Sequence, residues 1–137
     1  MSSQSISSSE VKSTEESKVT MVIRYLLAFM MIVFGANKFA QFIPMPPANE
    51  QVEQVFGALM MMGILPIVGV LEIFGGIMLA IKKQVPVTLI VLGAIGFNAV
   101  LFHATLDPAG IGGSVVFLGM VIYLAYAYRS KYISLVR

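Results

Sequence analysis

The sequence contains no cysteine, a single histidine and few charges: only 12% of its 137 residues are Asp, Glu, Lys or Arg. The absence of cysteine excludes disulfides, Cys-ligated zinc, iron–sulfur clusters and thiol redox chemistry within this chain. The lone histidine, His103, cannot build a haem or zinc site without other ligands. No Ser/His/Asp or Glu/His grouping has catalytic spacing. The shortage of charge says most about the class of protein. A soluble domain carries about 25% charged residues, and this chain lacks the polar surface to coat itself in water.

What fills the sequence instead is apolar. Hydrophobic residues make up 58% of it, and the mean hydropathy is +0.88. The formal charge is +2, but the basic residues are dispersed at the ends of apolar runs and form no stripe or patch, which excludes a nucleic-acid partner. The ten methionines, Met30-Met31 and Met60-Met61-Met62 among them, follow no repeated spacing and read as flexible apolar packing, not as a copper site. No metal is expected.

A membrane-spanning helix needs roughly 20 mostly apolar residues, and four candidates fit: about 19–42, 64–81, 85–102 and 113–128. Tyr25 to Ala36 is an uninterrupted apolar centre of the first. Pro66 falls in the opening turn of the second, where its missing N–H costs little. Ser114 is a candidate N-cap for the fourth. A water-soluble helical bundle would need polar outer faces along these runs, and their middles have almost none. The predicted fold is an all-α bundle of four transmembrane helices.

The connections agree. Lys82-Lys83-Gln84 is a hairpin-length turn, and Leu106-Asp107-Pro108-Ala109-Gly110 has the proline and glycine of a tight turn. The first connection is longer and carries Pro44, Pro46 and Pro47. After it Val52, Val55, Phe56 and Leu59 recur at helical spacing, which predicts a short amphipathic helix in the first outer loop. Residues 1–18 are Ser-rich and polar and read as a disordered tail. They lack the pattern of a cleaved secretory signal. Residues 133–137 form a short C-terminal tail.

Orientation follows from the cations. Lys12, Lys18, Arg24, Lys82, Lys83, Arg129, Lys131 and Arg137 fall on one side of a four-span chain, and Lys38 alone falls toward the other. Tyr123, Tyr126, Tyr128 and Tyr132 crowd the end of the fourth span as an interfacial aromatic belt would. Both termini are therefore expected to be cytoplasmic.

Polar groups in hydrocarbon are expensive, roughly 2.5–3.5 kcal/mol for a charge at a helix centre, and so they mark the interior. Glu72 lies ten residues from Lys82, about 15 Å deep at the helical rise of ~1.5 Å per residue. Asn98 falls at a similar depth, and Lys38 is nearer the outer face. Side chains lean toward a helix's N-terminus, so Lys38 leans into the membrane and Glu72 leans up toward it. A buried Lys38–Glu72 pair is expected, with Asn98 and Asn37 supplying hydrogen bonds. The alternative has Lys38 snorkelling to the interface and Glu72 protonated against a neighbouring helix. Arg24 and His103 are candidates for secondary polar contacts, and Asp107 reads as a turn residue. Gly69, Gly75 and Gly76 on the second span, and Gly93, Ala94 and Gly96 on the third, read as close helix contacts. A buried pair is either architectural or a site for proton handling, ligand polarisation or contact with a quinone headgroup.

Arg24, then Gly35-Ala36-Asn37-Lys38-Phe39, then Leu71-Glu72-Ile73-Phe74-Gly75-Gly76 resembles the DoxX family of small four-helix bacterial membrane proteins. Asn98-Ala99-Val100-Leu101-Phe102-His103 and the following Leu106-Asp107-Pro108-Ala109-Gly110 are similar to the later part of many members. The resemblance covers roughly Arg24 to the C-terminus, and its motifs are short. It implies residence in the bacterial inner membrane. Some relatives are subunits of thiosulfate:quinone oxidoreductases and others belong to membrane oxidoreductase complexes. The resemblance directs attention to Arg24, Lys38, Glu72 and Asn98 without assigning any of them a catalytic role.

The expected function is that of a non-catalytic subunit or accessory factor of a quinone-linked membrane oxidoreductase. Quinone is the one cofactor candidate, and redox-complex subunits or further copies of the chain are candidate partners. The competing readings are a small-molecule or proton-coupled carrier centred on Glu72 and a structural or assembly protein without a ligand.

Overall fold

A computed structural model of the chain describes residues 16–136. These residues are helical with no strand among them. The expected tail lies outside the described residues as far as residue 15. Its last residues have defined places: Ser17 is the N-cap of helix α1 (Lys18–Ala40), accepting a hydrogen bond from the Thr20 N–H at 3.1 Å, and Glu16 is bonded to the bundle as described below.

Helix α1 ends where Gln41 adopts a left-handed conformation at φ 50° and its N–H bonds to the Asn37 carbonyl. The chain then turns through its prolines to α2 (Glu50–Met61), N-capped by Asn49, whose Oδ1 accepts from the Val52 N–H at 2.9 Å. Glu50 and Glu53 place negative charge on that first turn, where the helix dipole favours it. Val52, Val55, Phe56 and Leu59 are the residues of α2 that are not exposed, so the amphipathic spacing is realised as packing. Gly63, at φ 76°, breaks the chain between α2 and α3 (Ile64–Ala80), and the two helices meet at 78°.

Lys82 and Gln84, both at positive φ, make the tight turn into α4 (Val85–Leu106), which has Pro86 in its first turn. A 3₁₀ turn over Pro108–Gly110 leads to α5 (Ile111–Ala127), and α6 (Arg129–Val136) closes the described chain. The fourth apolar helix thus starts at Ile111. Ser114 lies inside it, donating to the Ile111 carbonyl at 2.8 Å, and is not its N-cap. The tail expected at 133–137 is helical through Val136.

Helix α1 packs on α3 and α4 on α5, and the two pairs meet through α3–α4 and α1–α5. Leu27, Met31, Leu79, Leu89, Leu92 and Leu124 are the large side chains fully enclosed between them. The outside is also apolar: Phe29, Phe74, Phe97 and Ile122 are each more than half exposed. A water-soluble monomer rarely presents such continuous apolar surface. Three helices are long and apolar enough to cross a membrane, and the bent pair α2–α3 adds a fourth when counted as one span.

Candidate functional site

Close packing of α1 against α3 rests on glycine. A Cβ on Gly35 would stand 2.7 Å from the Gly69 carbonyl oxygen, and one on Gly76 would stand 2.7 Å from that of Ala28. Both are far inside contact distance, so only glycine lets the two backbones approach this closely. Gly75, one residue before Gly76, faces α4 instead and lies against Leu92 and Thr88. Gly96 packs on α5, and Ala94 is turned outward.

This seam sets the polar centre. Glu72 lies between Gly69 and Gly76 on α3, and Lys38 lies one turn beyond Gly35 on α1. Lys38 Nζ donates to Glu72 Oε2 at 2.5 Å, with the Glu72 side chain 6% exposed and that of Lys38 25% exposed. Among the described residues nothing else bonds to the Glu72 carboxylate, which leaves Oε1 free. Asn37, next to Lys38, turns its Oδ1 to the Ile43 N–H at 2.8 Å and holds the loop after α1.

Asn98 departs from expectation. It is exposed on the outer side of α4, and its amide donates to the Ala94 carbonyl at 2.8 Å within its own helix. It contributes nothing to the Lys38–Glu72 pair. Helix α4 is apolar on every side, so its sequence carries no period by which the face of Asn98 could be read.

A cavity of about 650 Å³ opens beside the pair. Lys38, Glu72 and Asn37 lie on one wall, and His103, Asp107 and Ser114 on another. Met30, Met31, Phe34 and Phe117 supply apolar surface between them, while Val52 and Phe56 of α2 cover it with the proline loop. Phe56 meets Phe102 edge-to-face with ring centroids 5.3 Å apart, and Asn49 Nδ2 donates to the Leu106 carbonyl at 3.2 Å. These contacts tie the cover to the end of α4. His103 Nδ1 lies 3.0 Å from Asp107 Oδ2, so Asp107 is more than a turn residue and orients the imidazole. No hydrogen bond engages His103 Nε2 among the described residues. No three His, Asp or Glu side chains there gather as a metal set.

A second polar cluster sits at the opposite end of the bundle. Arg24, 3% exposed, donates from Nε and one terminal nitrogen to the two oxygens of Glu16 at 2.8 and 3.1 Å. Its other terminal nitrogen donates to the carbonyls of Leu79 and Ala80 at the end of α3, where helix carbonyls run out of intrahelical partners. The Tyr128 hydroxyl donates to Glu16 Oε1 at 2.8 Å, and Lys82 Nζ lies 3.4 Å from Oε2. Burial pushes the Glu16 carboxyl up, but hydrogen bonds from Arg24 and Tyr128 with the charges of Arg24 and Lys82 outweigh it, and its pKa falls to about 2. Arg24 therefore belongs to an architectural clasp far from the cavity. Sequence reasoning missed Glu16, which lies in a polar stretch with no periodic signal; Ser17 as an N-cap three residues before Thr20 was the one available hint that order begins there.

The arrangement can hold a molecule with an apolar body and a polar head. Such a head would meet an ammonium, a carboxylate and an imidazole from two sides within mostly apolar walls. Comparison of the chain with family models, curated proteins and solved structures finds no match. The chemistry of the site thus has to carry the functional reading.

Proposed function

We propose that this chain is a DoxX-like integral membrane protein that binds the headgroup of a lipid-soluble quinone as a non-catalytic subunit or accessory factor of a membrane oxidoreductase. In this reading it crosses the bacterial inner membrane four times with both termini cytoplasmic. Helix α3 supplies the second crossing, and α2, bent from it by 78°, lies in the outer interface. The eight-to-one cation split supports that orientation, and the continuous apolar exterior supports residence in a membrane.

The single observation that carries the ligand is the cavity between Lys38–Glu72 and His103–Asp107. Its size lies within the roughly 300–1,000 Å³ of small-molecule sites. Lys38 offers a donor to a quinone carbonyl, and Glu72 and His103 Nε2, an acceptor when the Nδ1–H faces Asp107, offer acceptors to a quinol. The chain brings no redox group of its own, so electrons would pass between the quinone and a partner subunit.

The test is a titration of the purified full chain in nanodiscs with a short-chain ubiquinone or menaquinone analogue, followed by fluorescence or calorimetry. Saturable binding weakened by Lys38→Met and by His103→Phe supports the reading. Absence of saturable binding removes it. A second reading draws on Glu72, which lines the cavity and has one carboxylate oxygen without a hydrogen bond among the described residues: a proton-coupled carrier. Liposome flux abolished by Glu72→Gln, without quinone binding, would favour that reading. A chain that neither binds nor transports leaves a structural or assembly role.

A further inference from the structure

Asn98 lies deep in an apolar helix yet faces away from the bundle. One N–H of its amide is used by the Ala94 carbonyl. An amide has a second N–H and a carbonyl oxygen with two lone pairs, and neither finds a partner among the described residues. In hydrocarbon no water satisfies them. The other polar group of this face is already paired: the Thr105 hydroxyl donates to the Leu101 carbonyl at 2.8 Å and to that of Phe102 at 3.2 Å.

The residues around Asn98 have a pattern. Val87, Val91, Ala94, Asn98, Leu101 and Thr105 follow one another in alternating steps of four and three, the spacing of a coiled-coil seam. Val91 is partly buried and the other five are exposed. The buried residues by which α4 meets its neighbours, Leu89, Leu92 and Gly96 among them, are not in this set. A seam of this length, about 27 Å at ~1.5 Å per residue, lies unpartnered on the surface with a half-satisfied amide near its middle.

We infer that this seam is the contact surface of a homodimer, in which two copies pack their α4 helices in parallel and the Asn98 amides hydrogen-bond to each other. Insertion gives every copy the same direction in the membrane, so a two-fold axis along the membrane normal runs the two α4 helices parallel at one depth. Each seam residue then meets its own counterpart. An amide is donor and acceptor at once and is complementary to itself, which a carboxylate or ammonium at that position would not be. Ala94, one turn away, is small enough to let the backbones approach. A single amide in such a seam also fixes register, because any axial slip separates the pair.

The chain's lack of cysteine makes the test clean. Ala94→Cys and Leu101→Cys place one thiol on the seam, and Val116→Cys and Ile122→Cys place one on the exposed side of α5. Oxidation of the full-length chain in its own membranes is expected to give a band at twice the chain mass for the α4 pair and not for the α5 pair. Equal cross-linking on both helices, no cross-link on α4, or an adduct of another mass would overturn the homodimer. These variants keep Asn98 and do not depend on a mutant that fails to fold. Asn98→Leu is expected to weaken association in dilution-series energy transfer by about 3- to 20-fold, and an unchanged association constant would overturn the role of the amide.

Discussion

Lys38 and Glu72 come from helices running in opposite directions, and their side chains meet at 2.5 Å because each leans toward the start of its own helix. The glycine seam below them sets the backbone distance at which that lean closes the gap. Removing Lys38 strands the buried Glu72 carboxylate, a loss of roughly 3–5 kcal/mol, removing Glu72 strands a part-exposed ammonium at a smaller loss, and removing both forfeits less than the two together. Lys38→Met should lower stability more than Glu72→Leu, and the double variant should be clearly more stable than the sum of the two losses implies. Unfolding in mixed micelles measures the cycle. Simple additivity would mean that the two side chains are not energetically coupled.

The glycines make a sharper contrast. Alanine at Gly76 places a Cβ 2.7 Å from both the Ala28 carbonyl oxygen and the Ile32 Cγ1, and backbone cannot yield as a side chain can. Overpacking of this kind costs about 1–3 kcal/mol. On α5, a methyl group added at Gly119 would meet nothing within 4 Å. There alanine relieves the cost of glycine in a helix, about 1 kcal/mol. Gly76→Ala should lower the melting temperature and Gly119→Ala should leave it level or raise it.

The Glu16 clasp predicts an acid limb. Its pKa is depressed from 4.5 to about 2, so the stabilisation it gives is full above 4.5 and is lost as pH falls through about 2. Glu16→Gln should remove that part of the pH dependence while lowering stability at neutral pH by about 1.5–3 kcal/mol, the range for hydrogen bonds to charged groups. Thermal unfolding at pH values from about 2 to 6, spanning that loss, would show it. Parallel curves for the parent and Glu16→Gln would mean that the clasp does not contribute.

Some of this architecture is readable in the residues themselves, and the reason is physical in each case. The apolar runs are long and uninterrupted, so the helices at 18–40 and 85–106 follow from length and hydropathy alone. The period of Val52, Val55, Phe56 and Leu59 marks α2 because one of its faces is wet. The Lys38–Glu72 contact follows from depth and lean. Asn98 could not be placed the same way: in a helix apolar all round, inside and outside look alike. Glu16 escaped because an ion pair between a polar stretch and a helix leaves no local pattern. The two groupings that frame the cavity arise only when the α1–α3 and α4–α5 pairs close on each other.

The bend at Gly63 offers a last test, since it decides whether α2 covers the cavity. A residue with a Cβ pays about 1–2 kcal/mol to hold the left-handed conformation, and Gly63 sits at φ 76° with open space around it. Sterics are therefore no obstacle, and the backbone conformation is the whole effect. Gly63→Ala should destabilise by about that amount, and Gly63→Asn by less, because Asn tolerates this region better. The strain is relieved if α2 swings off the bundle, which would uncover Val52, now 6% exposed. A thiol introduced as Val52→Cys should then react faster with a water-soluble maleimide in the Gly63→Ala background than in the parent. Equal labelling rates would show that the proline loop and the Asn49–Leu106 hydrogen bond hold the cover without help from the bend.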